Sequence, residues 1–236
     1  MDDSGAADQL AIATWPDGPA RPPPPNAAVD LWIADLQGPG WPPFERLPGA
    51  ERESAAAILR PDAAARWTAS HWALRTVLGR YLGEEPAGIA LAAGERGKPR
   101  LADAPERLLF NLSHSAGMAL IAVTAGREVG VDIERVQPRR DFLALAERSL
   151  DPGAVAAVRD AAPAERAGAF YAAWVLLEAR AKCDGGGLGT RRRETVMATA
   201  AVEVGPGYAA ALAVAGSEVP RLHEWSIGPP GARVRR

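Results

Sequence analysis

Three stretches decide the fold of this chain: "RLLFNLSHS" (107–115), "MALIAVTA" (118–125) and "EVGVDIERV" (128–136). Each is rich in apolar residues over the length of a strand, and the second and third also contain several β-branched residues. The breaks "SAG" and "AGRE" stand between them, and breaks this short favour hairpins. The sequence therefore predicts three consecutive antiparallel strands in the middle of the chain.

Helical patterns lie on both sides of these strands. Before them, "VDLWIADL" (29–36) predicts a first strand, and apolar residues at helical spacing over 48–83 predict helices that end at Gly83. After them, Asp151 and Pro152 are typical of a helix start, and 163–183 predicts a longer helix that ends at the glycines of 185–187. Three more strands are predicted in 194–204, 208–216 and 221–227.

This order of elements predicts an α+β fold. Strand, helices and strands occur twice, so we expect a duplicated architecture of two halves with a site in the cleft between them. We place the N-terminal half at 28–125 and the C-terminal half at 126–236. Residues 1–27, which are polar and end in "RPPPPNAA", are expected to form a disordered leader.

Composition excludes several classes of protein. With 236 residues and 47% hydrophobic content, the chain can bury a core, and its net charge of -2 argues against broad nucleic-acid binding. The single cysteine, Cys183, excludes a disulfide framework and a cysteine-based zinc site. The acidic start and the absence of a long apolar run favour a cytoplasmic protein without a membrane partner.

Two acidic residues alternate on the third strand. Asp132 and Glu134 in "GVDIER" share one face, about 7 Å apart, while Val131 and Ile133 take the other. Such a pair is a plausible half-site for a hard divalent cation. An ordinary half-buried strand with a solvated acidic face has the same spacing, which therefore does not decide between the two.

The long helix carries a second charged pair. Glu178 and Lys182 stand four residues apart on one face, as a plain surface ion pair also would. However, Lys98 and Lys182 are the only lysines among 27 basic residues. An ammonium is a compact point charge that suits phosphate, and the glycines after Lys182 allow backbone to approach a ligand closely.

The segment "FNLSHS" (110–115) supplies a third group. His114 could donate to a phosphate, and the hydroxyls of Ser113 and Ser115 could add hydrogen bonds. The alternative is a turn in which these side chains satisfy local backbone groups.

Taken together and in order, the motifs resemble those of the phosphopantetheinyl transferases. The motifs are "GKP" (97–99), "FNLSHS" (110–115), "GVDIE" (130–134) and "WVLLEARAK" (174–182) followed by "GGGL", with "LRTVLGRYLG" (74–83) in the first half. The chain is most similar to the larger, monomeric class that activates peptide and polyketide synthases. The likeness runs from about Val29 to Ile227.

The resemblance implies a reaction and its participants. Such enzymes move the phosphopantetheine arm of coenzyme A onto a serine of an apo carrier protein and release 3′,5′-ADP. The resemblance assigns Mg²⁺ binding to Asp132, Glu134 and Glu178, with Glu178 also the candidate base. It assigns catalytic roles to Glu178, Lys182 and His114, and coenzyme A binding to Lys98, Ser113, His114, Lys182 and Arg75. Arg75 would meet the 3′-phosphate, for which Arg60 and Arg66 are weaker candidates.

One position departs from the family pattern. Leu177 stands where the family helix usually has lysine, and Val175 replaces a small polar residue. A leucine makes the groove beside Glu178 drier and less positive, so we expect the pKa of that carboxyl to be raised. Two other functions stay open: a degenerate relative that binds coenzyme A or a carrier without transfer, and a metal-dependent hydrolase of phosphoesters.

Overall fold

The fold is described from a computed structural model that covers residues 15–94, 97–103, 108–138, 141–185 and 195–230. These residues form five α-helices and nine strands, which confirms the predicted α+β class. The helices are α1 (Gly49–Ala56), α2 (Pro61–Leu82), α3 (Phe142–Ser149), α4 (Pro152–Asp160) and α5 (Arg166–Cys183). The strands are β1 (Ala28–Asp35), β2 (Leu91–Ala93), β3 (Pro99–Leu101), β4 (Leu109–Ser115), β5 (Met118–Thr124), β6 (Val129–Arg135), β7 (Met197–Ala201), β8 (Tyr208–Ala215) and β9 (Arg221–Ile227).

The first large sheet has the strand order β4-β5-β1-β9. β1 runs antiparallel to β5 and parallel to β9, with Trp32 opposite both Ile121 and Trp225. α2 covers one face of this sheet, where Trp32, Leu74 and Leu78 share a buried apolar cluster. β4 is therefore an edge strand of this sheet, and another element can pack against its outer edge.

The second large sheet is antiparallel and has the order β6-β8-β7. α5 packs on one of its faces through Val175 and Ala179. The opposite face shares a core with the first sheet, in which Val29 and Leu31 of β1 meet Val131 and Ile133 of β6. The two sheets therefore bury their apolar sides against each other, and β6 presents its polar side chains towards α5.

The two sheets repeat one topology. In the first sheet, β1 precedes helices α1 and α2 and pairs with β5, the second strand of the β4–β5 hairpin. In the second sheet, β6 precedes helices α3, α4 and α5 and pairs with β8, the second strand of the β7–β8 hairpin. The order β4-β5-β1 therefore corresponds to β7-β8-β6. This correspondence supports the predicted duplication, and the two-fold relation stays a prediction. The boundary placed at 125/126 falls between β5 and β6, but β9 of the C-terminal half joins the first sheet beside β1.

The prediction of three consecutive antiparallel strands is wrong in one part. β4 and β5 form the expected hairpin, with Ser115 opposite Met118. β6 does not continue it and instead pairs with β8 in the other sheet. The physical reason is that β1 already occupies the second edge of β5, through pairs such as Asp30 with Val123.

The prediction of a disordered leader is wrong for residues 15–27. Trp15 is buried in the core between the sheets, and its Nε1 donates to the carbonyl of Glu203 at 3.2 Å. Beside β9, the Gly18 N–H donates to the Ser226 carbonyl and the Ser226 N–H to the Pro16 carbonyl. A buried tryptophan and backbone pairing outweigh the composition that suggested disorder. Residues 1–14 lie outside the described part.

Most local helix signals are confirmed. Gly83 follows α2 with φ of 72°, and the Asp151 side chain caps α4 by accepting from the Ala154 N–H at 3.0 Å. α5 ends at Cys183 as expected, although glycines 186–187 lie outside the described residues. α3 and the β2–β3 hairpin were not predicted. No helix of the described chain is long and apolar enough to cross a membrane.

Candidate active site between β4, β6 and α5

A glycine on β6 brings α5 close to the strand. A Cβ on Gly130 would lie 2.1 Å from the Ala179 carbonyl oxygen and 2.4 Å from the Cys183 amide nitrogen, so only glycine fits there. Gly130, Asp132 and Glu134 alternate on the strand and thus share a face. This close crossing places the last turn of α5 beside the two carboxylates.

Lys182 makes the central contact of the site. Its Nζ donates to Asp132 Oδ1 at 2.5 Å and to Ser113 Oγ at 3.1 Å. Ser113 in turn donates to the same Asp132 oxygen at 2.7 Å. Three of the predicted site residues, from β4, β6 and α5, are therefore in direct contact, with Asp132 only 4% exposed.

Side chains alternate between the two faces of β4, so Ser113 and His114 lie on opposite sides of the strand. Asn111, Ser113 and Ser115 point towards β6, whereas Leu112 and His114 point to the opposite face and line a pocket. The Ser115 hydroxyl donates to Glu134 Oε2 at 2.7 Å. Ser113 and His114 are thus neighbours in sequence that reach different parts of the site.

Glu178 extends the carboxylate cluster from α5. Burial raises the pKa of its carboxyl above the ordinary value, the Lys182 ammonium opposes this, and the charges of Asp132 and Glu134 add to it. The direction predicted beside Leu177 is confirmed. The interaction with both β6 carboxylates places Glu178 within electrostatic reach of them.

The carboxylates of Asp132, Glu134 and Glu178 are the type of ligand that a hard cation prefers, but their present spacing is too wide to bind one. Asp132 Oδ2 is buried and has no hydrogen-bond partner in the part of the chain that the structure describes, as expected of an oxygen that a cation would satisfy. Within the described residues, however, no three acidic, histidine or cysteine side chains are gathered closely enough to form a ready metal site. The Lys182 ammonium bonds Asp132 Oδ1, so that contact would have to loosen before Asp132 could share an ion with the other carboxylates.

Lys98 lies at the same end of α5 as Lys182. Its Nζ donates to the backbone carbonyl of Lys182 at 3.2 Å, to that of Val129 at 3.0 Å, and to Glu128 Oε2 at 3.1 Å. The β2–β3 hairpin presents it. The two lysines are therefore brought together, although Lys98 contacts protein oxygens in this structure.

A pocket of about 380 Å³ opens beside β4. Its lining includes Glu51, Trp67, His71, Pro99, Leu112 and His114. His71 stacks on Trp67 with ring centroids 3.6 Å apart, and its Nδ1 lies 2.6 Å from Glu51 Oε1. The pocket combines apolar walls with the imidazoles of His71 and His114.

His114 has an unusual protonation state. His114 is exposed at the surface, yet desolvation by the surrounding protein lowers its pKa to about 4, and the charges of His71, Lys182 and Arg66 act in the same direction. The imidazole is therefore neutral near pH 7. A neutral ring can donate a hydrogen bond to a phosphate from one nitrogen only.

The phosphate role predicted for Arg75 disagrees with its surroundings. Arg75 is 2% exposed, pairs closely with Glu51, and donates to the carbonyls of Pro86 and Ile89 at 2.9 and 3.0 Å. These contacts use the guanidinium for structure. The pKa of Glu51 reflects this, since burial would raise it but hydrogen bonds from His71 and Arg75 lower it.

The two weaker arginine candidates differ from each other. Arg66 keeps 32% of its side chain exposed, pairs with Asp62, and its charge reaches His114. Arg60, with 77% of its side chain exposed, also pairs with Asp62. Arg66 is thus the arginine of α2 that lies electrostatically near the site.

Comparison with known proteins identifies the family. The profile of the 4′-phosphopantetheinyl transferase superfamily matches residues 128–210, which include β6 and α5. The 4′-phosphopantetheinyl transferase HetI of Nostoc sp. is 35% identical over 71% of this chain and 75% of its own length. A phosphopantetheinyl transferase of Thraustochytrium sp. is 31% identical over 79% of this chain and 70% of its own, and that of Bacillus subtilis is 28% identical over 58% and 60%. The chain belongs to the 4′-phosphopantetheinyl transferase superfamily, as its motifs predicted, and to that enzyme class.

Sequence reasoning missed three polar residues near the site. Glu51 and His71, which line the pocket, lie in the segment 48–83, whose pattern predicts helices but marks neither residue as functional. Asn111 was not singled out either, although its alternation with Ser113 and Ser115 on a predicted strand was a usable signal. No local pattern could have shown that Glu51 binds residues twenty or more positions away.

Proposed function

We propose that this protein transfers the 4′-phosphopantetheine arm of coenzyme A to a serine of an apo carrier protein and releases 3′,5′-ADP. The observation that carries the proposal is the contact of Lys182 with Asp132 and Ser113, beside Glu178, where β4, β6 and α5 meet. A lysine in an acidic cluster provides both signs of charge that phosphoryl transfer needs.

The reaction is a substitution at phosphorus. The serine oxygen of the carrier forms a bond to the β-phosphorus of coenzyme A, and the bond from that phosphorus to the bridging oxygen breaks. The electron pair of the broken bond leaves with 3′,5′-ADP. The serine proton passes to a base, for which Glu178 is the candidate because its raised pKa makes it a stronger base than an ordinary carboxylate.

Positive charge in the site would stabilise the phosphate oxygens. The Lys182 ammonium is placed by α5 at the mouth of the carboxylate cluster, and Ser113 adds a hydroxyl beside it. Lys98 is held by backbone carbonyls at the end of α5, from where it would contact the pyrophosphate after a change of side-chain rotamer. Both ammonium groups then act on the same stretch of coenzyme A.

Asp132, Glu134 and Glu178 would hold Mg²⁺. When bound there, the ion would neutralise charge on the phosphate oxygens. The unsatisfied oxygen of buried Asp132 supports this role. Metal binding and proton acceptance would use different oxygens of the same carboxylate set.

The pocket beside β4 suits the nucleotide end of coenzyme A. His114 would donate to a phosphate as a neutral imidazole, and Arg66 would supply the charge that Arg75 cannot. The stacked Trp67 and His71 offer an aromatic wall. We therefore replace Arg75 by Arg66 among the residues proposed to bind coenzyme A.

The carrier is of the acyl or peptidyl type used by peptide and polyketide synthases, as the resemblance to the larger class implies. The protein would meet it as a monomer. Neither a nucleic acid nor a membrane is part of the proposed reaction.

Intact-mass analysis of an apo carrier protein tests the proposal. Incubation with this protein, coenzyme A and Mg²⁺ should add one phosphopantetheine to the carrier, and EDTA should abolish the gain. Glu178→Gln should slow it about a hundredfold or more. Glu224→Gln is the matched control, because that exposed glutamate lies on β9 at the far edge of the first sheet.

Two results would reject transfer. No mass gain with several carriers while coenzyme A still binds would support the binding protein suggested by Leu177. Release of 3′,5′-ADP without any carrier protein would support hydrolysis.

A further inference from the structure

Two serines of β4 repeat one hydrogen-bond arrangement with β6. The Ser113 hydroxyl donates to Asp132 at 2.7 Å and accepts from the Ile133 N–H at 3.4 Å. The Ser115 hydroxyl donates to Glu134 at 2.7 Å and accepts from the Arg135 N–H at 3.1 Å. Each hydroxyl thus joins the carboxylate of one residue to the backbone of the next.

The fold creates this arrangement because β4 and β6 are neighbouring edges of different sheets. Among the described strands, β4 pairs only with β5 and β6 only with β8, so no backbone ladder joins β4 to β6. The N–H groups of Val131, Ile133 and Arg135 would lack partners in the buried junction. Side chains of β4 satisfy them, and Asn111 begins the series by accepting from the Val131 N–H at 2.9 Å.

Because each serine hydroxyl accepts a hydrogen bond from a fixed backbone N–H, the direction in which it can donate its own hydrogen is restricted. A hydroxyl that accepts from a fixed backbone N–H has one hydrogen left, and here that hydrogen points at a carboxylate oxygen. The carboxylate is then tied to the junction of the two sheets instead of rotating freely. Asn111 makes the same backbone contact but bonds no carboxylate in the described structure, so the two effects can be separated by experiment.

We propose that Ser115 is a positioning residue that orients Glu134 for cation binding. This inference rests on the metal role in the proposed function. Ser115 is the informative member of the pair, because Ser113 also accepts from Lys182 and its loss would disturb the phosphate site as well. Outer partners of this kind commonly change metal affinity by about tenfold or more.

Binding of Mn²⁺, followed by electron paramagnetic resonance, tests the inference in the full chain. The titration contains coenzyme A but no carrier protein, and a blank of coenzyme A alone is subtracted. Ser115→Ala should weaken Mn²⁺ binding about tenfold, and the Mg²⁺ concentration for half-maximal transfer should rise by a similar factor. Ser115→Thr keeps the hydroxyl on a strand-compatible side chain and should restore both values to within about threefold.

Asn111→Ala is the matched control. It removes one side-chain contact between the sheets, so it should lower the melting temperature at least as much as Ser115→Ala while leaving the Mn²⁺ affinity within about twofold of the wild type. An equal loss of Mn²⁺ affinity in Asn111→Ala, or no rescue by Ser115→Thr, would show a purely structural role and overturn the inference.

Measurements of Mn²⁺ binding and of transfer in the wild type distinguish a failure of this inference from a failure of the proposed function. A wild type that transfers phosphopantetheine but does not bind Mn²⁺ would overturn the inference and leave transfer standing. Mn²⁺ binding that depends on Ser115, in a protein that never modifies a carrier, would support the inference and reject the proposed function.

Discussion

Lys182 of α5 and Asp132 of β6 form an ion pair, with Nζ 2.5 Å from Oδ1, beside the close crossing of helix and strand at Gly130. Asp132 is almost fully buried, whereas 29% of the Lys182 side chain is exposed. The lysine therefore neutralises a buried acid on one side and faces solvent on the other. A phosphate arriving from solvent would meet a cation that is already fixed in place.

Replacement of Lys182 by methionine should impair both transfer and stability. The variant loses the phosphate donor, so transfer should fall about a hundredfold or more. It also leaves Asp132 buried without its partner, which should lower the free energy of unfolding by about 1–3 kcal/mol, less than for a fully buried pair. Single-turnover kinetics and urea unfolding measure the two effects. Arg180→Met, in the same turn of α5, should leave transfer within about threefold; an equal loss there would contradict the assignment.

The close approach at Gly130 predicts an intolerant position. In Gly130→Ala the new Cβ would overlap backbone atoms of α5, so the helix must move away from β6. We expect a loss of about 1–3 kcal/mol in unfolding free energy and a clear fall in transfer, because Glu178 and Lys182 move with the helix. Gly168→Ala is the control within α5: apart from its chain neighbours and the helix backbone, no described atom lies within 4 Å of the new Cβ, and the variant should be more stable by about 0.5–1 kcal/mol. Unchanged activity in Gly130→Ala would contradict the described crossing.

Two arginines of α2 should respond in opposite ways. Arg75→Met removes a buried cation bound to Glu51 and should destabilise the protein by about 3 kcal/mol or more. Arg66→Met should change stability by less than about 1 kcal/mol but weaken coenzyme A binding about tenfold. Isothermal titration with coenzyme A and thermal unfolding separate these effects. If Arg75→Met folds stably and loses only coenzyme A affinity, the original assignment of Arg75 is right.

His114 predicts a pH dependence of stability. Its pKa is lowered to about 4 in the folded protein, below the ordinary value of 6.5. Between these pH values the unfolded chain binds more protons than the folded one, so this group makes stability fall as the pH falls from about 6.5 to 4. His114→Gln cannot titrate and should lose less stability over that interval. Parallel denaturant curves at several pH values measure the difference, and identical slopes would contradict a neutral His114.

Local signals in the sequence were sufficient for much of the fold. Gly83 and Asp151 act within one helical turn, so their roles could be predicted without knowing the rest of the structure. The partner of β6 could not be predicted, because it depends on β1 occupying the edge of β5 from ninety residues away. Trp15 was missed for a similar reason, since its burial depends on both sheets being in place.

The sequence predicts which residues of the candidate site lie together better than how they are arranged. The family motifs single out Asp132, Glu178 and Lys182, and the structure brings these side chains close, while their roles in the reaction stay predictions. The face of β4 on which Ser113 meets Asp132 depends on the junction of two sheets, which no single motif encodes. The structural use of Arg75 depends on Glu51, which lies 24 residues earlier on another helix.

The central claim is transfer of the phosphopantetheine arm at the junction of β4, β6 and α5. The most direct measurement follows both products in one reaction: the mass of the carrier protein and the 3′,5′-ADP released. We expect one 3′,5′-ADP for each phosphopantetheine gained by the carrier, and neither product when the carrier lacks its acceptor serine. Release of 3′,5′-ADP at the same rate with the serine-free carrier would contradict it.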